Sequence, residues 1–387
     1  MLYYGYMKKL VLIDGNAIIH RSYHALPKTM STRKGEQTNA IYGFTTTLIK
    51  VLENLKPEYL AVSFDLAGPT FRHDHYADYK ATRVKADQDL YDQIPRVKQI
   101  VETMNIPIYE KSGFEADDCL GTIVKKVSEH VGEARNVNRQ SSNETSIETE
   151  SRQPIDVYIV SGDKDIYQLI NENVFVYSLR KGLNQLQVVD HDTIKKEYNL
   201  DPLDFIDLKA LAGDASDNIP GVPGIGAKTA VDLLQRFDSI DKLYGQIADL
   251  LDSNGIISKS EFLISKQIPH GVTSQTNSKF ENLDIGKLIE NFKLKPRILS
   301  LLITYQPQAF LSQHLATIHR DVPLDFSLEE CKWGEYDKEK LRSLFEELGF
   351  ASLLRRFSEN GENNKSTGTE EAPKTKVEKK DKQLKLL

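Results

Sequence analysis

Cysteine and long apolar runs are scarce in this sequence of 387 residues. The only two cysteines, Cys119 and Cys331, form neither a metal-ligand spacing nor a disulfide framework, so we expect a reducing, cytoplasmic environment. No apolar run is long enough to span a bilayer. The N-terminal run at residues 10–13 ends at Asp14, which makes it a poor signal-peptide core. We therefore expect no association with a membrane.

The sequence also has fewer basic than acidic residues and no recognisable motif for a catalytic nucleophile. The 50 lysine and arginine residues are outnumbered by 56 aspartate and glutamate residues, which gives a net charge of −6. This balance argues mildly against a nucleic-acid-binding protein, unless a dense acidic site lies beside a basic surface. No Ser-His-Asp or Cys-His arrangement stands out, and no P-loop is present.

The sequence does contain an alternation of apolar strands and helical segments. Apolar runs predict strands at residues 9–13, 59–64, 106–109 and 157–160. Helical periodicity predicts helices at residues 40–55, 90–104 and 115–127, and further helical structure at 200–240 and 284–316. Strands separated by helices indicate a parallel sheet. Ligands of such sheets bind beyond the carboxyl ends of the strands.

Three segments lack this alternation. Residues 132–154 are polar and predict a disordered insertion, and residues 252–283 predict a second insertion. From residue 358 onward the Lys/Glu-rich composition predicts a disordered tail. At the other end, Met7 is an alternative start to Met1.

Acidic residues follow three of the predicted strands directly. Asp14 and Asp65 follow the first two strands, and Asp163 and Asp165 follow the run at 157–160. In a parallel sheet these four carboxylates lie at one edge. Each acid alone has an ordinary explanation, such as a helix cap or the helix dipole. Together with five further acids the set is Asp14, Asp65, Glu115, Asp117, Asp118, Asp163, Asp165, Asp214 and Asp217.

Such a set of carboxylates indicates a cation site. Like charges that pack within about 4–6 Å repel and raise one another's pKa, so a cluster is costly unless cations compensate. Oxygen ligands select hard ions such as Mg²⁺ or Mn²⁺ over zinc. This many acids can serve two ions about 3.5–4 Å apart, the spacing used to cleave phosphodiesters.

Six segments carry a resemblance to a known family. They are LVLIDGNAIIHRSYHALP (10–27), VSFDLAGPTFRHDHYADYKATR (62–83), GFEADDCLGTI (113–123), VSGDKDIYQLI (160–170), LAGDASDNIPGVPGIGAKTA (211–230) and FLSQHLATIHRDVPL (310–324). In order and spacing they resemble the 5′-nuclease (flap endonuclease-like) family, and most closely the N-terminal 5′→3′ exonuclease domain of bacterial DNA polymerase I.

The resemblance implies a PIN-like α/β fold with a central, mostly parallel sheet, a helical arch and a C-terminal helix–hairpin–helix (H3TH) subdomain. It implies a catalytic domain at residues 8–190, the H3TH subdomain at 191–325, a junction segment at 326–357 and the tail at 358–387. Both insertions look longer than is usual. Because the chain ends where a polymerase I would continue, we expect a stand-alone nuclease or a truncated polymerase I, without polymerase activity.

The resemblance also assigns the nine acids to two Mg²⁺ ions, for which Mn²⁺ can substitute. Asp163, Asp165, Asp214 and Asp217 lie nearer the second ion, and the other five serve the first. Asp163 and Asp165 count as catalytic residues.

Residues 70–85, the arch segment, interleave basic and aromatic side chains that suit phosphates and unpaired bases. The alternative is a solvated helix in which Asp74 and Asp78 pair with the basic side chains of the same helix. The resemblance makes this segment the arch over the active site, with Tyr79 stacking on a base and with Lys80 and Arg83 holding the scissile phosphate as catalytic residues. Two further DNA contacts are expected at Arg21, whose alternative is a salt bridge to the acids, and Arg72.

Residues 221–230, the glycine hairpin, allow close approach of the backbone and open a helix whose free N–H groups suit a phosphate. A tight turn is the ordinary explanation. The resemblance makes the hairpin a grip on duplex DNA and allows a K⁺ ion there. The expected DNA contacts are Gly221, Gly224, Gly226, Lys228 and Thr229.

The resemblance thus implies a two-metal 5′→3′ exonuclease and 5′-flap endonuclease for replication and repair. The expected partners are DNA with a 5′ flap, a nick or a free 5′ end, RNA–DNA primer junctions and a DNA polymerase acting in trans, bound by a monomer. The alternatives are a non-catalytic, structure-specific DNA-binding module, a PIN-like RNA-processing nuclease and, more weakly, a Mg²⁺-dependent phosphatase.

Overall fold

A computed structural model describes residues 7–140, 154–181, 185–263 and 294–362. Its six strands form one sheet in the order β3-β2-β1-β4-β5-β6. The strands are β1 (Lys8–Asp14), β2 (Tyr59–Ser63), β3 (Ile108–Tyr109), β4 (Ile155–Ser161), β5 (Val174–Lys181) and β6 (Gln185–Val189). All neighbours pair in parallel except β5 and β6, which pair antiparallel. The predicted, mostly parallel sheet is confirmed.

The central strand β1 sets the position of the functional edge. Its last residue, Asp14, pairs with Ser63 of β2, and Ile13 pairs with Val160 of β4. The carboxyl ends of β1, β2 and β4 therefore lie side by side. From β1 the chain runs outward through β2 to β3, and it then crosses back to form β4 on the other side of β1. A crevice forms at such a switch in strand order.

Helices cover both faces of the sheet, and the residues of β1 alternate between two buried clusters. Val11 and Ile13 pack in one cluster, Leu10 and Leu12 in the other. The first half of the chain contributes α1 (Gly15–Ala25), α2 (Asn39–Leu55), α3 (Phe71–His75), α4 (Gln88–Tyr91), α5 (Ile94–Thr103) and α6 (Ala116–Gln140). A 3₁₀ turn, Asp165–Leu169, follows β4.

The second half of the described chain is helical. Its elements are α7 (His191–Tyr198), α8 (Asp204–Ala212), α9 (Ala227–Phe237), α10 (Ile240–Ser253), α11 (Lys259–Leu263), α12 (Pro296–Thr304), α13 (Gln306–Ala316), a 3₁₀ turn (Glu329–Cys331), α14 (Lys338–Glu347) and α15 (Ala351–Glu362). Buried residues of α8, α9, α10 and α13 belong to the same cluster as Leu10 and Leu12. Among the described residues the buried core thus continues past residue 190, and the domain boundary predicted there stays a prediction.

Three segments differ from the sequence-based expectations. Helix α6 continues to Gln140, so residues 132–140 extend a helix, and the rest of the predicted insertion lies outside the described residues. The arch segment contains only the five-residue helix α3 followed by turns, rather than a continuous helical arch. The expected junction at 326–357 forms α14 and most of α15.

The hairpin of α14 and α15 packs on the cluster that contains Val11 and Ile13. Residues 264–293 and the tail beyond residue 362 lie outside the described ranges, so the predictions for them stay predictions. Within those ranges no helix combines the length and the apolar content that crossing a bilayer requires.

Candidate active site

Asp14 lies at the centre of the functional edge. Its carboxylate caps α1 by accepting the N–H of Ala17 at 3.0 Å, and it accepts the hydroxyl of Ser161, at the end of β4, at 2.8 Å. Only 7% of the residue is exposed. Burial, with added repulsion from Asp65 and Asp163, raises the pKa of Asp14 to about 7.

Asp65 and Asp117 lie beside the start of α6. Asp65, just beyond β2, accepts the N–H of Ala116 at 2.7 Å, which fixes the helix start against the sheet edge. Burial and the neighbouring Glu115 raise the pKa of Asp65. Burial and then Asp118 raise the pKa of Asp117 well above its ordinary value. The Oδ1 atom of Asp117 is buried and has no hydrogen-bond partner.

The third group of acids gathers around Lys209 of α8. The Lys209 ammonium contacts Asp165, beyond β4, and lies 2.5 Å from Asp214. Burial and Asp163 raise the pKa of Asp165 to about 6. Burial opposes ionisation of Asp214, yet hydrogen bonds from Lys209 and Ser216 lower its pKa to about 2. The sequence-based interpretation missed Lys209, because nothing in the spacing of residues 200–213 places it between two distant acids.

Asp217 joins the groups through the arch segment. Lys80 lies 2.7 Å from Glu115 and 3.9 Å from Asp217, and the Arg83 guanidinium lies 2.5 Å from Asp217. Asp217 also raises the pKa of Asp165. The structure therefore brings eight of the nine predicted acids into one network, the acid cluster: Asp14, Asp65, Glu115, Asp117, Asp163, Asp165, Asp214 and Asp217.

The acid cluster suits cations, although its acids do not converge on one point. Among the described residues, no group of three or more His, Cys, Asp or Glu side chains is arranged as a ready-made metal site. Lys80, Arg83 and Lys209 hold the carboxylates instead. The orphaned oxygen of Asp117 and the raised pKa of Asp14 both mark negative charge that a further cation would stabilise. The metal assignment stays a prediction.

Asp118, the ninth predicted metal acid, does not fit that role. It is fully buried, and its Oδ1 accepts from Arg72 at 2.8 Å and from the His319 N–H at 2.7 Å. Its Oδ2 accepts from Arg72 at 2.8 Å and from the Glu115 N–H at 3.0 Å. Two bonds to each oxygen use the acceptor capacity of a carboxylate, so no position is left for a metal ion.

The expected DNA contacts of Arg72 and Tyr79 also conflict with their placement. Arg72 is 1% exposed and bonded to Asp118, so its guanidinium does not reach a phosphate. Tyr79 is 3% exposed, and its hydroxyl lies 3.3 Å from Glu115 and 3.2 Å from Asp217. Its ring therefore offers no open face to a base. The sequence pattern could not separate these residues from Lys80 and Arg83, because Arg72 and Tyr79 are buried by α13 and, for Tyr79, by Ile219, which are far away in sequence.

The glycine hairpin follows α8, includes the first turn of α9 and leaves its polar side open. Gly224 and Gly226 are exposed, as is Lys228, and Thr229 is half-buried. Gly221 is buried at a φ of +61°. The first N–H groups of α9 thus stand beside an exposed lysine, as a phosphate grip requires.

Two arginines lie near these elements. The exposed Arg297 of α12 lies next to Gly224, a neighbour that the sequence did not reveal. Arg21 lies beside Gly162, in the loop that carries Asp163. The DNA contacts predicted for Arg21 and the hairpin stay predictions.

Two domain profiles of one family, an N-terminal and a C-terminal one, match the chain. The profile described as 5′-3′ exonuclease, N-terminal resolvase-like domain matches residues 9–137, and the one described as 5′-3′ exonuclease, C-terminal SAM fold matches residues 200–268. These matches contain the arch segment, the start of α6 and the glycine hairpin. Asp163 and Asp165 lie between them.

Curated relatives and solved structures agree with this match. DNA polymerase I of Bacillus subtilis is 34% identical over 353 residues, which cover 91% of this chain and 32% of the relative. DNA polymerase I of Caldicellulosiruptor bescii is 34% identical over 353 residues, covering 90% and 33%. The chain thus spans about a third of the length of the curated relatives it matches.

A solved structure described as divalent metal ions (zinc) bound to T5 5′-exonuclease has a TM-score of 0.52 at 17% identity. The match covers 91% of this chain and 98% of that one, and it supports the shared fold. With both family profiles placed on the sheet edge and the hairpin described above, the chain belongs to the 5′-3′ exonuclease family.

Proposed function

We propose that the chain is a divalent-metal-dependent 5′→3′ exonuclease and 5′-flap endonuclease that hydrolyses DNA phosphodiesters. The observation that carries this proposal is the acid cluster, interleaved with Lys80, Arg83 and Lys209 and lying at the carboxyl ends of three strands. No nucleophilic side chain stands out among these acids, so water is the nucleophile that the site suits. Family membership supports the reaction class.

The acid cluster divides into residues that suit two cations. Asp14, Asp65, Glu115 and Asp117 surround one end, and Asp163, Asp165, Asp214 and Asp217 the other. Mg²⁺ at these oxygens would lower the pKa of a bound water and stabilise the leaving oxygen. The oxygen ligands favour Mg²⁺ and Mn²⁺. The zinc-bound structure of the T5 exonuclease supports metal dependence in the same fold.

Lys80 and Arg83 serve the scissile phosphate in this proposal. Lys80 bridges Glu115 and Asp217, so its ammonium stands between the two ends of the cluster, where a bridging phosphate would lie. Arg83 is half exposed beside Asp217 and suits an incoming anion. Fixed cations at this place stabilise the charge that develops as the phosphodiester is attacked.

The substrates follow from the glycine hairpin and the arch segment. The hairpin grips a duplex backbone through the start of α9, Lys228 and Thr229, which suits DNA of any sequence. The unpaired 5′ strand passes the arch segment, so a 5′ flap, a nick or an RNA–DNA primer end fits the site. The biological task would be primer and flap removal, beside a DNA polymerase acting in trans.

The test compares matched nicked, 5′-flap and single-stranded oligonucleotides with and without Mg²⁺, with product lengths read on a gel. We expect Mg²⁺-dependent cleavage near the junction of the flap, leaving 5′-phosphate and 3′-hydroxyl ends. Asp165→Asn should abolish cleavage, whereas Asp201→Asn, at an acid that pairs with Lys195 outside the cluster, should not. A wild-type chain that binds the flap without cleaving it would instead indicate a non-catalytic DNA-binding module.

A further inference from the structure

The pair formed by Arg72 and Asp118 is the most deeply buried ion pair next to the acid cluster. The Arg72 side chain is 2% exposed and that of Asp118 is 0% exposed. The two groups meet through two parallel bonds of 2.8 Å each. An arginine–carboxylate pair of this kind is geometrically specific.

Arg72 uses its remaining donors on the other side of the pair. Its Nε donates to the carbonyl oxygen of Leu315 at 2.9 Å, and its Nη2 donates to that of Thr317 at 3.0 Å. Its Nη1 also lies 3.5 Å from Glu115. The guanidinium therefore ties the start of the arch segment to the end of α13 and borders a member of the acid cluster.

Asp118 fixes the turn of α6 that carries two acids of the cluster. Its Oδ2 accepts the N–H of Glu115, which closes the first turn of the helix in the manner of a capping box. Its Oδ1 accepts the N–H of His319, in the segment after α13. Glu115 and Asp117 thus lie on a helical turn that Asp118 fixes through its bonds to Arg72, to the Glu115 N–H and to the His319 N–H.

We propose that Arg72 is a positioning residue that, through Asp118, sets the geometry of Glu115 and Asp117 for divalent ions and does not touch DNA. The inference rests on the proposed function and deepens it. Loss of the pair frees the first turn of α6 and the base of the arch segment together. The metal affinity then falls while the number of DNA phosphate contacts stays the same.

The experiment compares full-length Arg72→Met with two other variants. Arg72→Lys keeps the charge but cannot form the two parallel bonds. Arg96→Met removes an arginine of α5 that pairs with Glu36 and with Glu347 of α14, outside the acid cluster, and serves as the control for lost stability. Mn²⁺ is titrated calorimetrically into each DNA-free protein, at a temperature below the melting temperatures of all the variants, so that every protein is folded. The salt dependence of flap-DNA affinity is measured in EDTA.

We expect Mn²⁺ affinity to fall about ten-fold or more in Arg72→Met, since residues that orient metal ligands contribute about this much. Arg72→Lys should recover little of it, and Arg96→Met should bind Mn²⁺ as the wild type does. The slope of log affinity against log salt should stay within about 0.3 of wild type, because no phosphate contact is lost.

Two results would overturn the inference and leave the proposed function standing. One is wild-type Mn²⁺ affinity in Arg72→Met; a salt slope that is also reduced by about 0.9 would mark a lost phosphate contact. The other is an equal loss of Mn²⁺ affinity in Arg96→Met, which marks general loosening. A wild-type chain that binds no Mn²⁺ would overturn the proposed function, and this inference with it.

Discussion

At the scale of single residues, Asp14 and Asp214 belong to one acid cluster yet titrate in opposite directions. Burial raises the pKa of Asp14 to about 7, because its two hydrogen bonds do not offset the loss of water. Asp214 is also disfavoured by burial, but Lys209 and Ser216 lower its pKa to about 2. Asp214 is therefore ionised at any ordinary pH, whereas Asp14 carries its charge at a cost that an added cation would remove.

Asp14→Asn should stabilise the metal-free protein at alkaline pH. The folded state holds the Asp14 proton more tightly than the unfolded state, whose pKa is near 3.8, so its contribution to stability falls as the pH rises from about 4 to about 7. Asparagine avoids this loss of about 2–4 kcal/mol. In EDTA, the melting temperature of Asp14→Asn should exceed that of wild type at pH 8 and match it near pH 4.

Saturating Mg²⁺ should reverse this order, because a bound ion stabilises only the protein that retains its ligands. Asp252→Asn, at an exposed acid of α10, is the control and should leave the melting temperature unchanged under both conditions. A lower melting temperature of Asp14→Asn in EDTA at pH 8 would contradict the cost assigned to the buried charge.

Lys80→Met should separate turnover from binding. Its ammonium lies between Glu115 and Asp217, whereas the predicted duplex grip lies on the glycine hairpin. Removing one group that stabilises the transition state lowers kcat by about 10²–10³-fold. We expect that loss in single-turnover cleavage of a flap substrate, with Kd for the same DNA nearly unchanged.

Lys85→Met is the matched control, because Lys85 is exposed on the same segment. It should leave kcat unchanged and weaken binding slightly at low salt. Equal losses of kcat and affinity in Lys80→Met would make Lys80 a simple tether for DNA.

At the scale of elements, the sequence predicted what short-range patterns control. The apolar runs located β1 to β4, and the glycine spacing located the hairpin between α8 and α9. The arch segment was harder, because its turns are held by distant groups: the Lys80 N–H donates to the carbonyl of Asp217 at 2.9 Å, and Asn218 donates to the carbonyl of Asp78 at 2.7 Å. Helical periodicity alone cannot report such contacts.

Gly221→Ala should distort the glycine hairpin and lower the stability of the protein. Gly221 has a φ of +61°, and a Cβ there would lie 2.2 Å from the backbone nitrogen of Gly213. Strain of this kind costs about 1–3 kcal/mol before the clash is counted. We expect a lower melting temperature and weaker binding of duplex DNA.

Gly226→Ala separates the two effects, since Gly226 starts α9 at a φ of −94° and has no atom near its Cβ position. It should change the free energy of unfolding by less than about 1 kcal/mol, as expected for an N-cap change. It should weaken DNA binding, because the added methyl group crowds the phosphate. Wild-type affinity in Gly226→Ala would place the DNA backbone elsewhere.

At the scale of the whole molecule, the two buried clusters connect parts of the chain that are far apart in sequence. The cluster with Leu10 and Leu12 extends from the sheet to α13, and the cluster with Val11 and Ile13 extends to α14 and α15. The acid cluster depends on this, because Asp214 is joined to Asp165 through Lys209 only when α8 packs against the 3₁₀ turn that follows β4. The sequence named these acids by resemblance, but the packing that joins them is a long-range property.

The hairpin of α14 and α15 is the part of the fold that the sequence represented least well. It was expected to be a junction, because the resemblance to polymerase I places the connection to further domains at residues 326–357. In the structure Tyr42 bonds Ser352 at 3.0 Å and Arg96 lies 2.8 Å from Glu347. The Trp333 N–H donates to Glu58, beside the start of β2 and thus at the end of the sheet opposite the acid cluster.

Phe345→Ala should therefore lower stability without changing the chemistry. Phe345 is 1% exposed within the cluster that contains Val11 and Ile13, and truncating such a residue costs about 3–5 kcal/mol. Arg342→Ala, at an exposed arginine of α14 paired with Glu346, should cost at most about 0.5 kcal/mol. Denaturant unfolding measures both, and single-turnover cleavage at low temperature should give the same kcat for both. Among the described residues, α14 packs on the cluster that contains Val11 and Ile13 and not on the acid cluster. A large fall of kcat in folded Phe345→Ala would therefore show that the hairpin of α14 and α15 acts on the acid cluster through the sheet.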